Sequence, residues 1–339
     1  MGRALKAVKE QLRAIPGRGL GYGLLRYLDP EAGRRLAGQP QPQIGFNYLG
    51  RFAVGGEAQD WSVAPETVGL GGGSDGATPL AHLLEVNAVT LEGPEGLCLS
   101  ANWSWAARQL SEPEVRSLAE AWRRALEGLV RHVEQAGGGG HTPSDFPLVH
   151  LSLAQLEGLE ASCPDLEAVL PLSPLQEGLM FHALYDEAAP DVYTVQIGVR
   201  FEGVFDDARM RTAAQALLRR HANLRATIHH RGLEHPVQVI GREVPLPWHE
   251  VDLSALERMD QRARLDELLA ADRLKRFELS AGPLLRFTLL RLARQEHLLV
   301  LTNHHVLLDG WSMPIFFGEL LALYHSGGDA QGLPAVRPI

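Results

Sequence analysis

Four consecutive glycines, Gly137, Gly138, Gly139 and Gly140, constrain this chain more than any other feature. They stand in Gln135-Ala136-Gly137-Gly138-Gly139-Gly140-His141-Thr142-Pro143-Ser144-Asp145, which has little to bury and much backbone entropy to lose on ordering. A core strand or helix cannot run through such a stretch. The expected division is therefore a unit over residues 1–136, a linker over 137–150 and a second unit over 151–339. A chain of 339 residues is long enough for each unit to bury its own core.

The remaining bulk properties exclude function classes. A net charge of −9 argues against nucleic acid as partner, which requires clustered Lys and Arg. No apolar run approaches the roughly twenty residues of a membrane span, so no membrane partner is expected. The start, Met1-Gly2-Arg3-Ala4-Leu5-Lys6, lacks the apolar core of a secretory signal, and Lys6 replaces the Ser or Thr of a myristoylation site. Cys98 and Cys163 are too few for a disulfide framework or a metal site. A reduced, cytoplasmic protein is the expectation.

Periodicity places the elements. Residues 3–15 read as a helix halted by Pro16, and residues 45–52 as a short strand. Residues 83–89 and 97–105 read as a hairpin around Glu92-Gly93-Pro94-Glu95-Gly96, followed by a helix over 112–134 that Ser111 and Glu114 cap. Gly71-Gly72-Gly73-Ser74-Asp75-Gly76 reads as a loop and not a phosphate cradle, because no Gly-Lys-Ser/Thr follows. Beyond the linker, helices are expected over 152–160, 173–185, 206–221, 253–277 and 311–324. Strands are expected over 192–205, 225–230 and 237–240, with 284–292 and 297–304 as an antiparallel pair. Mixed hairpins and crossovers of this kind give an α/β sandwich and not a parallel wound sheet.

The chemistry concentrates in Asn303-His304-His305-Val306-Leu307-Leu308-Asp309-Gly310-Trp311-Ser312. An apolar strand delivers two histidines to its end, and a new helix starts after the acid and the glycine. Adjacent strand residues face opposite ways, so one histidine enters a cleft and the other is held from behind. A neutral imidazole with a pKa of about 6.5 takes a proton from an amine or alcohol nucleophile near neutral pH. Gly310 permits a positive φ or a close backbone approach to an acyl group. A bare His-His pair reads first as a solvated strand end. Two histidines and an acid also suggest a metal, but the two side chains diverge and no further ligand lies nearby.

The full pattern His-His-x-x-x-Asp-Gly, in a strand-loop-helix context, resembles the signature of the condensation-domain superfamily. That superfamily shares the chloramphenicol-acetyltransferase fold, which implies sandwich lobes with mixed, largely antiparallel sheets and flanking helices. The resemblance makes His305 the active-site residue, either as base or as positioner of an amine nucleophile, with His304 and Gly310 beside it. It makes Asp309 structural, paired with an arginine, for which Arg225 is the candidate. Two further stretches are similar to family motifs. Asp165 to His182 (Asp-Leu-Glu-Ala-Val-Leu-Pro-Leu-Ser-Pro-Leu-Gln-Glu-Gly-Leu-Met-Phe-His) resembles the opening of condensation domains that accept a D-configured donor. Arg220-His221-Ala222-Asn223-Leu224-Arg225 resembles the next motif, although Ala226-Thr227 departs from its usual ending.

The first unit resembles the late part of an epimerisation domain. Val8-Lys9-Glu10, Gly19 to Leu28, Phe46-Asn47-Tyr48-Leu49-Gly50, Glu85-Val86-Asn87 and Trp103-Ser104-Trp105 carry that likeness. The earlier epimerisation motifs are not in this sequence, and the second half of a condensation domain would lie beyond Ile339. The resemblance thus implies a segment of a nonribosomal peptide synthetase. It would join a carrier-bound peptidyl thioester ending in a D-residue to a carrier-bound aminoacyl amine, and would be inactive in isolation. Peptidyl carrier domains on both sides and an adenylation domain are the implied partners. No cofactor is expected to bind directly, since the substrates ride on the carriers' phosphopantetheine. A non-catalytic docking remnant and a free-standing coenzyme A-dependent acyltransferase are the alternatives.

Overall fold

The helix predicted at the start forms as α1 (Gly2–Arg13) and ends before Pro16. Gly17, Arg18 and Gly19 then adopt left-handed backbone with φ of 55°, 54° and 82°. That turn launches two short helices absent from the periodicity reading, α2 (Leu20–Tyr27) and α3 (Pro30–Ala37). Asp29 caps α3 by accepting from the N–H groups of Glu31 and Ala32. A three-stranded sheet follows, in the order β1 (Ile44–Ala53), β2 (Leu84–Gly93), β3 (Gly96–Trp105), with β1 parallel and β3 antiparallel to β2. Its register sets Asn47 beside Asn87, which are hydrogen-bonded at 3.3 Å, and Tyr48 Oη lies 2.9 Å from Thr90 Oγ1. α4 (Glu112–Glu134) packs on the sheet through Val115 against Leu84 and Val86. The Glu114 carboxylate accepts from Ser111 N and Oγ at its start. Trp103 packs edge-on to Trp122 of α4, so the roles seen for Asn47, Tyr48 and Trp103 are structural.

The computed structural model describes residues 2–53, 81–93, 96–134, 139–185 and 190–336. The expected loop at residues 71–76 and the middle of the hairpin turn lie outside them, as do residues 135–138. Two units separate at Gly139/Gly140.

In the second unit, Ser152 caps α5 (Leu153–Ser162) through a reciprocal capping box with Gln155. β4 (Leu166–Pro171) precedes α6 (Pro174–Tyr185), then come β5 (Thr194–Glu202) and α7 (Asp207–Arg220). β6 (Ala226–His229), β7 (Val237–Gly241), β8 (Trp248–Asp252) and α8 (Arg258–Leu274) follow, and then β9 (Leu285–Ala293), β10 (Glu296–His304) and α9 (Ser312–Ser326). The strands form a four-stranded sheet, β5-β10-β9-β8, and a three-stranded one, β4-β7-β6. Only the β8–β9 pairing is parallel among the described residues of this unit, so the architecture is mixed but largely antiparallel.

Strand β10 shows why its sequence reads as an unbroken apolar run. Both faces of the larger sheet are covered, so the strand has no solvent side to alternate with. Leu299 and Leu301 face α7 and α9, where Met210, Ala213, Leu217, Phe316 and Leu320 complete the core. Val300 faces α8 together with Leu290 and Leu292. Thr302 continues that second face and donates to Asp272 of α8, while Gln196 and Arg286 donate to the same carboxylate at 2.8 and 2.6 Å. Burial alone would raise the Asp272 pKa, but these donors hold it below the usual carboxylate range.

Candidate active site

Strand alternation carries the α8-facing side from Val300 through Thr302 to His304, the last residue of β10. His304 is fully buried, and across the ladder its register partner is Thr194. Its Nδ1 accepts the Val306 N–H at 3.1 Å, so in the neutral ring the proton sits on Nε2. Asp191 Oδ2 lies 3.1 Å from that Nε2, at an angle too bent for a full hydrogen bond. Burial pushes the His304 imidazole below the usual histidine range, against the pull of Asp191. Protonating Nδ1 would also set two donors against each other at Val306.

His305 leaves the strand and is half-buried. Its backbone N–H donates to Tyr193 O at 2.8 Å, which continues the β5 side of the ladder one step past the strand end. Its Nδ1 lies 2.7 Å from Leu308 O, and a carbonyl only accepts, so Nδ1 carries the proton. Nε2 therefore presents a lone pair, and it has no protein partner among the described residues. The two neighbouring histidines hold opposite tautomers, one locked inward and one with a free basic nitrogen.

The loop beyond His305 is braced from α6. Ser173 and Gln176 form a capping box, with Ser173 N donating to Gln176 Oε1 at 3.0 Å and Gln176 N to Ser173 Oγ at 3.3 Å. Gln176 Nε2 then donates to Val306 O at 3.2 Å, tying the opening motif of the second unit to the histidine loop.

The expected pairing of Asp309 with Arg225 does not form. Asp309 is exposed, and its Oδ1 accepts from Ser312 N at 2.9 Å and Ser312 Oγ at 2.6 Å. Those Ser312 hydrogen bonds hold its carboxyl below the usual range. Three residues separate the two, the spacing of a local side-chain turn, and this nearby partner satisfies the acid that a distant arginine was expected to meet. Arg225 is buried elsewhere: its Nη1 donates to Glu167 at 2.7 Å, Gly241 O at 2.5 Å and Arg242 O at 2.6 Å. It pins β4 to the end of β7. Gly310 lacks a positive φ, and a Cβ there would meet no protein atom within 4 Å.

Arg220 and His221 from the second resembling motif converge on Glu319 of α9, at 2.8 and 2.6 Å. Burial would raise the Glu319 pKa, yet Arg220 and His221 hold it below the usual range. Beside this cluster a cavity of about 210 Å³ is lined by His221, Asn223, Leu308, Ser312, Ile315 and Phe316. It borders the histidine loop through Leu308. Sequence reasoning missed Asp191 and Tyr193, whose proximity to the histidines depends on β5–β10 register and leaves no local pattern.

His304 and His229 are both kept below the usual histidine range by burial. Such groups bind protons more readily once unfolded, so stability is complete above the unfolded pKa of about 6.5 and falls as pH drops below it. Thermal scans of the chain from pH 7.5 to 5.5 are expected to show a falling Tm, with a shallower slope in a His229→Asn/His304→Gln double variant. An unchanged slope would contradict this assignment.

With the geometry in place, a family model described as "Condensation domain" matches residues 166–337, about half of the chain. One of the linear gramicidin synthase proteins of Brevibacillus parabrevis is 40% identical over 329 residues, 96% of this chain and 4% of that protein. Bacitracin synthase 3 of Bacillus licheniformis is 33% identical over 329 residues, 96% of this chain and 5% of that protein. The chain thus spans about a twentieth of the length of these relatives. Among solved structures, the first condensation domain of the calcium-dependent antibiotic synthetase aligns at a TM-score of 0.44 and 21% identity, over 49% of this chain and 39% of that one. On the strength of residues 166–337, the chain belongs to the condensation-domain family of nonribosomal peptide synthetases.

Proposed function

We propose that residues 151–339 act as the N-terminal lobe of a condensation domain that joins two carrier-bound substrates through an amide bond. The observation that carries this reading is the His305 ring, whose Nδ1–H is spent on Leu308 O while Nε2 stays free at a strand end. An aminoacyl amine attacks the carbonyl carbon of a peptidyl thioester. The new C–N bond forms, the C–S bond breaks, and the amine proton passes by way of His305 Nε2 to the departing thiolate. Gly310 leaves open space beside the loop in which an acyl group can lie. His304 and Asp309 support the loop from either end.

The likeness of residues 165–182 to D-accepting condensation domains, and of residues 1–136 to an epimerisation domain, supports a donor whose last residue is D-configured. The linker between the two activities then ends before Gly140 and not at residue 150, since Thr142 is buried and Phe146 packs in the core of the second unit with Leu156 and Val169. The substrates are tethered through phosphopantetheine on carrier domains, and an adenylation domain of the same cytoplasmic, bacterial assembly line loads the acceptor. The relatives' names support a peptide antibiotic as the class of product. The test is single-turnover transfer by a complete condensation domain containing residues 151–339, with donor carriers ending in D- or L-residues. Product on the acceptor carrier, faster from the D-donor, is expected. Equal rates would overturn the D-donor reading, and transfer only from free coenzyme A thioesters would overturn carrier-to-carrier condensation.

A further inference from the structure

The segment Asp191–Thr194 touches both histidines of the motif, and it does so through a side chain that neither the motif nor its spacing includes. Asp191 has a side-chain exposure of 3%, so its carboxylate is buried within the site's supporting wall. Oδ1 accepts the Tyr193 N–H at 2.9 Å, and the Asp191 carbonyl accepts the Thr194 N–H at 3.1 Å. Oδ2 faces His304 Nε2 at 3.1 Å. One residue further on, Tyr193 O receives the His305 N–H at 2.8 Å. A single carboxylate therefore shapes the turn that grips the backbone of His305 and also faces the ring of His304.

We propose that Asp191 is a positioning residue for transfer, holding His304 as the Nε2–H tautomer and thereby fixing the loop that presents His305. The chain of contacts is short. With its proton kept on Nε2 by the facing carboxylate, His304 offers the Nδ1 lone pair to Val306 N–H. Val306 is the first residue after His305, and the carbonyl of Leu308, two residues beyond it, takes the His305 Nδ1–H. Loss of the negative charge frees His304 to hold its proton on Nδ1, which would expel the Val306 N–H and turn the loop. His305 would then lose the acceptor that keeps its Nε2 unprotonated. A buried carboxylate costs desolvation, which the Tyr193 N–H and the facing His304 ring partly offset. Metal-site and triad chemistry use the same device, in which a second group sets the tautomer of a histidine.

This inference rests on the reading of His305 as the group facing substrate, and two measurements keep the two separable. The first needs no activity: ¹⁵N spectra of the histidine rings in the 339-residue chain at pH 7.5. His304 is expected as the Nε2–H tautomer and His305 as the Nδ1–H tautomer. In the near-isosteric Asp191→Asn variant, whose amide oxygen still accepts from Tyr193, His305 is expected to shift toward the Nε2–H form. The second is single-turnover transfer in a complete condensation domain carrying Asp191→Asn. A rate loss of at least about tenfold, with KM for the acceptor carrier unchanged, is expected. A wild-type His304 protonated on Nδ1, a His305 tautomer unmoved by Asp191→Asn, or an unchanged rate would each overturn the positioning role. If His305→Ala also transfers at the wild-type rate, the catalytic reading of His305 fails instead, whatever the spectra show.

Discussion

Replacing Arg225 by alanine is expected to lower the melting temperature of the second unit by roughly 10 °C. The side chain is 6% exposed and meets three acceptors at once, the Glu167 carboxylate and the carbonyls of Gly241 and Arg242. Removing a buried member of such a set costs about 3–5 kcal/mol. For a domain of this size each kcal/mol moves Tm by about 2–4 °C. Glu167 is 42% exposed and can return to water, so most of the loss falls on the two stranded carbonyls and on the space left behind. Glu167→Ala is accordingly a mild change, whereas Arg225→Ala loosens β4 from β7.

Asp309→Ala serves as the contrast. That carboxylate accepts from Ser312 at the exposed start of α9, so its removal takes away a solvent-exposed local cap and is expected to be the smaller change. Differential scanning calorimetry of the two variants checks the order. A larger drop for Asp309→Ala than for Arg225→Ala would restore the acid-arginine pairing that the structure does not contain.

The fate of these two residues shows what the sequence carries and what it does not. Elements with a strong apolar period were legible: α7 buries Met210, Ala213, Ala214, Leu217 and Leu218 along the expected stripe. The histidines were also legible as a strand end, because a dense apolar run followed by a glycine-bearing loop has few other readings. Strand β8 was not: Trp248-His249-Glu250-Val251-Asp252 is a polar edge strand, with two central residues exposed, so alternation is weak. The helix expected over 253–277 is trimmed to α8 because Asp252 accepts from Ser254 N and Oγ and forms a turn where the pattern suggested a first helical turn. Partners were the least legible. Asp191 meets His304 across more than a hundred residues, and Arg225 meets Gly241 only after β6 and β7 pair. Local spacing cannot encode contacts that strand register creates.

His305→Ala carries the second large effect. Without the free Nε2 the amine must lose its proton to water, and removal of a general base typically costs about 10²–10⁴-fold in rate. A ring that only orients the amine would leave more residual turnover. His304→Ala is expected to slow transfer too, through the loop that Val306 N–H anchors on its Nδ1, and with a loss of stability that His305→Ala does not share. His304 is fully buried whereas His305 is half-buried, which separates the two by calorimetry before any assay is run.

The most direct measurement is a single-turnover reaction in a complete condensation domain containing residues 151–339, with a donor-loaded and an acceptor-loaded carrier, read by intact-mass spectrometry of both carriers. The wild-type lobe should move the peptidyl mass from donor to acceptor, and His305→Ala should retain both loaded carriers while the product falls at least about a hundredfold. Product formed by His305→Ala at the wild-type rate would contradict the assignment of this histidine to the chemistry.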